Sequence, residues 1–291
     1  MKITPVIIAK NAIRTISKTL GALTDFDEVI LLDTGSTDGT DIVAGGFSNV
    51  RLFYDVFDGF GKSKNKAACF ARNDWILSID ADEILGPGLI NSIKNLELSN
   101  DTIYRWKRVN FYGGRKIKYS GWGNEYVARL YNRKTTKFNN KLVHESLITS
   151  GLKIKTIPGS MDHFSYHSIS DFSKKREMYS DLFAIENVGR KKSSPFKAIT
   201  HSFYEFCKTY FLKLGFLDGY NGLLIGVFNA YVTFIKYFKL YEANLNAIAG
   251  VNSALQPNRT AIHQLPANKI FSGSLADDSL TLKKLSILLD T

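Results

Sequence analysis

The 291-residue chain is 44% apolar and 22% charged, a balance outside the range of long disordered chains and polytopic membrane proteins, and it is long enough to bury a sizeable core. Its net charge of +11 is uneven: residues 1–100 carry −3, residues 101–250 carry +13 and residues 251–291 carry +1. That asymmetry excludes a uniformly basic nucleic-acid coat and sets a nearly neutral half beside one suited to phosphate, nucleic acid or lipid headgroups.

Cys69 and Cys207 are too few for a disulfide framework and have no partners at metal-ligand spacing, which fits a reducing compartment. The first ten residues lack the apolar core of a secretory leader. The longest uncharged stretch, residues 219–235, is shorter than the roughly 20 residues of a spanning helix, so neither a leader nor a membrane span is expected.

Residues 5–9 read as a short buried strand, and residues 12–23, with Ile13, Ile16, Leu20 and Leu23 at helical spacing, as a helix. Residues 28–32 give a second strand, 37–44 a helix, 50–54 a third strand, 62–72 a helix and 74–79 a fourth strand. Repeated β-α-β units with near-continuous apolar strands predict an α/β fold, a parallel sheet with helices on both faces and ligands outside the carboxyl ends of its strands. Residues 103–163 change to short strands and turns around Gly113, Gly114, Gly121 and Gly123, a mixed extension of the sheet. From 168 to 249 the pattern is helical and aromatic-rich, with Phe203, Phe211, Phe216, Tyr231 and Tyr237 among its rings. Residues 251–291, with Pro257 and Pro266, read as a weakly ordered tail ending in a helix over 280–289. The expected domains are therefore 1–167, 168–250 and the tail 251–291.

Three motifs carry chemistry. Asp33 ends a buried strand just before Gly35, which suits a tight turn, and Ser36 or Thr37, which suits a helix cap. This places one carboxylate at the rim of the crevice, where it either accepts hydrogen bonds from a base or ribose or satisfies its own turn. Asp80 and Asp82 follow the fourth strand: either, in an extended segment, they face one side as two hard oxygen donors that suit Mg²⁺ or Mn²⁺ with positions left open for phosphate, or they belong to a solvated acidic turn. Lys62, Lys64 and Lys66 stand at a probable helix start, either as a diphosphate site or as an ordinary exposed basic face.

The set formed by residues 7–11, Asp33 to Thr40 and Asp80-Ala81-Asp82 resembles the family 2 glycosyltransferases of the GT-A fold, a Rossmann-like mixed sheet. Residues 61–65, Gly121-Trp122, Arg129-Leu130, Val143-His144-Glu145, residues 163–166 and residues 215–219 are similar to the lipopolysaccharide core β-glucosyltransferases. The resemblance spans residues 3–245 and departs at Glu125, where that pattern has Asp.

The resemblance implies an inverting transfer of a sugar, glucose above all, from a UDP-sugar donor to a lipid-linked saccharide such as lipopolysaccharide inner core. Asp33 would contact the uracil, with Lys10 and Asn11 lining the nucleotide site. Asp80 would contact the ribose or a metal-bound water, Asp82 would ligate a divalent metal (Mg²⁺ or Mn²⁺), and His163 would be a further ligand or, as a lone histidine more often is, a hydrogen-bonded core residue. Lys62 or Lys66 would meet the departing diphosphate. Glu145 is the favoured base because the family usually uses a carboxylate, with His144 as the alternative, its ordinary pKa suiting the task; the structural alternative for Glu145 is a surface ion pair with a neighbouring Lys.

Residues 1–167 are expected to form the donor and catalytic domain. The aromatic helical pattern and basic surplus of 168–250 read either as an acceptor or membrane-proximal platform, with Lys174, Lys175, Arg176, Arg190, Lys191 and Lys192 meeting core phosphates or an anionic membrane, or as aromatics that are simply core between helices. A cytoplasmic enzyme peripheral to the bacterial inner membrane is expected, with no nucleic-acid partner. The alternatives are a family 2 enzyme acting on capsule, exopolysaccharide or protein, and a non-catalytic anion-binding membrane adaptor, which would have no need of Asp80 and Asp82. A nucleotidyltransferase is disfavoured because Ala9-Lys10-Asn11-Ala12 is not its glycine-rich loop.

Overall fold

The computed structural model describes residues 2–123, 125–140 and 145–248. His144, the tail and its terminal helix, and the side chains of Lys174, Lys175 and Arg176 lie outside the described residues.

The chain divides into two compact units, the first comprising Met1–Ser173 and Lys208–Gly226. At the heart of the first unit β1 (Ile3–Ala9), β2 (Val29–Asp33), β3 (Val50–Tyr54) and β4 (Trp75–Asp80) lie parallel. They are followed by β5 (Glu83–Leu85), β6 (Thr102–Tyr112), β7 (Arg115–Lys116), β8 (Glu125–Asn132) and β9 (Lys153–Tyr166). Together they form one mixed sheet in the order β3-β2-β1-β4-β8-β6-β9-β5, with β7 paired to β6.

The near-continuous apolar strands are explained by burial on both faces. Ile7, Leu31, Leu77 and Ile79 pack on one side with Ile16 and Leu20 of α1 (Ile16–Gly21) and Leu89 of α4 (Pro87–Lys94). Val6, Ile30, Leu32 and Ile76 pack on the other with Ala67 and Ala68 of α3 (Phe60–Cys69). A short α2 (Thr40–Gly45) follows the turn after β2.

The expected short strands over 103–163 are replaced by two long ones, β6 and β9, which pair in parallel along most of their length. Irregularities at Arg105/Lys107 and Asn110/Tyr112 absorb the breaks in register. The glycines bracket these strands and do not interrupt them: Gly113 and Gly114, both at positive φ, make the two-residue turn into β7.

A π-helical turn (Lys208–Leu212) and a 3₁₀ turn (Gly215–Asp218) also belong to the first unit. Asp218 accepts hydrogen bonds from the backbone N–H groups of Lys118 and Tyr119 and from the Ser120 hydroxyl. Nearby, Trp122, Tyr166 and Phe172 pack ring on ring.

The second unit holds most of α5 (Ile169–Asn187), all of α6 (Pro195–Cys207) and most of α7 (Tyr220–Ile248). Lys239 of α7 pairs with Asp181 of α5, and Asn244 fastens the 189–191 loop by accepting from the Gly189 N–H and donating to the Lys191 carbonyl. The uncharged run 219–235 lies almost wholly within α7, where Tyr220–Ala247 is long and apolar enough, by length and composition, to cross a membrane. The length limit behind the expectation of no span therefore does not hold, because the helix continues through Lys236 and Lys239.

Candidate active site

The register sets Asp33 beside Ala9 and Asp80 beside Ile8, so the two carboxylates stand at the carboxyl edge of the sheet on either side of β1. Asp33 is buried. Its Oδ1 accepts the N–H groups of Gly35 and Ser36 at 2.8 and 2.7 Å, while Oδ2 is buried with no hydrogen-bond partner. Gly35 sits at φ +101°, which closes this turn and which a side chain would strain. The turn role weighed for Asp33 is therefore present through Oδ1, while Oδ2 is buried without a partner.

The loop after β1 is laced to the same turn. Asn11 accepts the Thr37 N–H at 2.8 Å through its side-chain carbonyl, and its own N–H donates to Ser36 Oγ at 2.9 Å. The Ile13 N–H donates to Asp38 at 3.0 Å.

Asp80 and Asp82 do not share an extended segment. The strand stops at Asp80, and Ala81 and Asp82 form a turn, because the Ala81 carbonyl is held by Thr15 and Thr19 and the Asp80 N–H donates to Glu83 Oε2. The two carboxylates consequently have different surroundings. Asp80 Oδ1 lies 2.8 Å from the Lys64 ammonium and Oδ2 lies 2.6 Å from Arg129. Asp82 Oδ1 lies 3.5 Å from His163 Nε2.

From Asp80 a continuous polar network runs both ways. Lys64, only 2% exposed, also reaches Glu145 Oε1 at 2.8 Å. Arg129 bridges Asp80 to the fully buried Glu83, again at 2.6 Å, and its Nε is buried without a partner. Arg108 joins Glu83 at 3.1 Å to Glu125, which it grips with two nitrogens. Asn110 donates through Nδ2 to Glu125 and to the Trp122 carbonyl, so its Oδ1 is the atom facing His163 Nδ1 at 2.7 Å. That fixes Nδ1 as the proton donor and turns Nε2 toward Asp82.

Burial by itself would raise the Asp80 pKa, yet the charges of Arg129 and Lys64 outweigh it and hold the carboxyl well below its ordinary range. Glu125 is lowered in the same way by Arg108 and Asn110 against the effect of burial. Burial also disfavours the Arg129 cation, but Asp80 and Glu83 overcome this and its pKa is raised. Among the described residues the network joins the carboxylates of Asp80, Asp82, Glu83, Glu125 and Glu145 to Lys64, Arg108, Arg129 and His163.

Residues 4–149 match the family described as Glycosyl transferase family 2. The chain belongs to this family.

An uncharacterized glycosyltransferase of Rickettsia typhi is 30% identical over 269 residues, covering 86% of this chain and 91% of its own. The lipopolysaccharide core biosynthesis glycosyltransferase LpsC of Rhizobium meliloti is 26% identical over 262 residues, covering 86% and 96%. Among solved structures, a crystal structure of S. aureus TarS 1–349 in complex with UDP-GlcNAc aligns at a TM-score of 0.43 and 15% identity, covering 86% of this chain and 92% of that one.

In this family 2 glycosyltransferase, the site expectations fall into two groups. Asp33 and Asn11 both hold the turn over residues 35–37, while Asp80, Asp82, His163 and Glu145 are joined through the network. Lys10 and Lys62 are exposed, Lys66 pairs with Asp55, and His144 lies outside the described residues. Among the described residues no three His, Cys, Asp or Glu side chains cluster as a metal cage.

Lys64 was expected with Lys62 and Lys66 at a diphosphate site or on an exposed basic face, but it is buried and paired with Asp80 and Glu145; Glu83, Arg108 and Arg129 are network members to which sequence reasoning assigned no role. For Lys64 the signal was present: Lys62 and Lys66 are four apart and share one helical face, whereas Lys64 shares its face with Ala67 and Ala68, which are buried. Arg108 and Arg129 gave no such signal, because their acid partners come from other strands.

Proposed function

We propose that the protein is an inverting, metal-dependent hexosyltransferase that moves a sugar, glucose foremost, from a UDP-sugar to a lipid-linked saccharide of the lipopolysaccharide-core type. The observation that carries this reading is the buried Lys64 bridge between Asp80 and Glu145, placed at the strand edge that also presents the unpaired Asp33 Oδ2. The acceptor class is supported by the name of the LpsC relative and by the basic surplus after residue 100.

The Asp33 Oδ2 acceptor suits the imide N–H of uracil, and Lys10 and Asn11 line the nucleotide site beside it. Asp80, kept ionised by Lys64 and Arg129, suits the ribose hydroxyls or a metal-bound water. Asp82 and His163 fit a divalent ion: a carboxylate oxygen and an imidazole nitrogen 3.5 Å apart, with the other ring nitrogen anchored on Asn110, offer two donors and leave further positions for substrate oxygens. Asp82 and His163 would hold Mg²⁺ or Mn²⁺ there, and such an ion would supply charge to offset that developing on a departing diphosphate. Lys62, exposed on the same helix, adds positive charge toward the diphosphate, and Lys66, paired with Asp55, is the second candidate.

Glu145 is the base. It takes the proton of the acceptor hydroxyl as that oxygen attacks the anomeric carbon from the face opposite the diphosphate, and Lys64 fixes its carboxylate in position. His144 remains the alternative. The setting is the cytoplasmic face of the inner membrane, where both substrates meet.

A donor-hydrolysis screen over UDP-sugars, with and without Mn²⁺, tests the reading. Metal-stimulated hydrolysis of UDP-glucose is expected. Absence of hydrolysis and of UDP binding across the panel would refute the donor assignment and favour the non-catalytic adaptor.

A further inference from the structure

The helix α6 is amphipathic with its apolar side turned outward. Phe196, Ile199 and Phe203 recur at the spacing of one helical face and are 78%, 56% and 70% exposed. Tyr204 adjoins them at 59%, while Ala198 on the opposite side is fully buried. A surface helix whose apolar stripe faces away from its own core has a partner to meet.

The chemistry of that partner is set by what adjoins the stripe. Residues 187–204 contain no acid, and Arg190, Lys191, Lys192 and Lys197 lie within them at the amino end of α6. The loop carrying these cations is held in place: Asn244 binds it at both Gly189 and Lys191, and the Ser193 hydroxyl donates to the Tyr237 carbonyl. Several lysines gather around two rings of this unit, with Lys191 and Lys236 each 5.4 Å from the Phe183 centroid and Lys197 5.2 Å from that of Tyr237. Aromatic residues flanked by fixed cations are the composition of a monotopic interfacial helix, with rings at the acyl boundary and ammonium groups at the phosphates.

We infer that the outward face of α6, with the basic loop 190–192 and Lys197, is a docking surface for an anionic phospholipid bilayer. A two-fold pairing of this face with a second copy would set each basic loop close to a like-charged surface, whereas anionic lipid answers both its charge and its apolar stripe. The inference deepens the lipid-linked acceptor reading and takes its purpose from it, but the surface itself rests only on exposure and charge within the second unit. Docking here would hold the enzyme at the plane in which a lipid-linked saccharide is presented.

Co-sedimentation of the full chain with phosphatidylcholine vesicles, either pure or containing about 30% phosphatidylglycerol, tests it. Binding to the anionic vesicles is expected, with the bound fraction falling steeply as salt is raised from about 0.05 to about 0.5 M. Phe196→Ser/Phe203→Ser and Lys191→Glu/Lys192→Glu should each weaken partitioning roughly tenfold or more. UDP affinity, measured by calorimetry on the same samples, should stay unchanged and shows that the variants fold.

Equal binding to neutral vesicles, or no binding, would overturn the inference. So would salt-resistant pelleting untouched by either substitution, as a spanning α7 would give. A dimer dissolved by Phe196→Ser/Phe203→Ser with vesicle binding intact would assign the face to a second copy instead. If the parent failed to bind UDP, the donor reading would fall while the vesicle result stood.

Discussion

The Lys64 ammonium stands 2.8 Å from Glu145 Oε1, and the same ammonium is 2.8 Å from Asp80 Oδ1. One buried cation thus ties the residue assigned to the acceptor side to the residue assigned to the donor side. Truncating it in Lys64→Met leaves two carboxylates facing each other across the space it filled. The expected loss is at least about tenfold in kcat, or ~1.4 kcal/mol of barrier. Folding should be weakened by less than the ~3–5 kcal/mol typical of a fully buried pair, because both carboxylates keep some solvent contact. Steady-state kinetics with a denaturation curve on the same sample separates the two effects.

Glu145→Gln keeps the size of the side chain and removes its basicity. Turnover should fall by about 10²-fold or more, the range of a lost general base, while donor KM changes little. A drop in donor affinity that matched the drop in kcat would argue instead for a structural role through Lys64.

How much of this arrangement could be read from the chain depended on the range of the interactions. The parallel strands were legible because each is a local apolar run, and Asp33 and Asp80 were legible because they end such runs. Asp82 was misplaced next to Asp80: the turn after β4 is set by Thr15, Thr19 and Glu83, and strand alternation does not govern a turn. Arg129 was invisible as a bridge because Asp80 and Glu83 are 49 and 46 residues away, joined to it only by the antiparallel pairing of β4 with β8 and the neighbouring turn.

Arg129 supplies the next expectation. It is buried between two carboxylates, one of them fully buried. Arg129→Met would leave Asp80 to Lys64 and Glu83 to Arg108 alone, and should cost up to ~3–5 kcal/mol of stability by urea denaturation. Replacing Glu83 by Gln in the same background should recover part of that loss, since one under-compensated buried charge is then removed.

The depressed pKa of Asp80 carries a pH dependence whose sign is definite. The unfolded carboxyl titrates near pH 3.9, so below that the unfolded chain binds a proton that the folded protein refuses. The stability contributed by Asp80 is therefore complete above about pH 4 and is lost as pH falls through the folded pKa. Asp80→Asn should lower stability at neutral pH and flatten its decline in acid, read by denaturation curves across the acid range. An unchanged acid slope would mean that other carboxylates, Glu125 among them, dominate the loss.

Asp33 can be tested apart from catalysis. Its Oδ1 serves the Gly35–Ser36 turn, while Oδ2 is the buried unpartnered acceptor proposed to receive the nucleotide. Asp33→Asn keeps an oxygen for the turn and replaces the acceptor by an amide donor, which repels the uracil imide instead of receiving it. UDP affinity by calorimetry should fall about tenfold or more, equivalent to ~1.4 kcal/mol. Asp33→Ala loses the turn contacts as well, so it should weaken both UDP binding and stability. The comparison of the two variants assigns the two oxygens their separate tasks, because loss of the turn lowers the unfolding midpoint and loss of the acceptor does not.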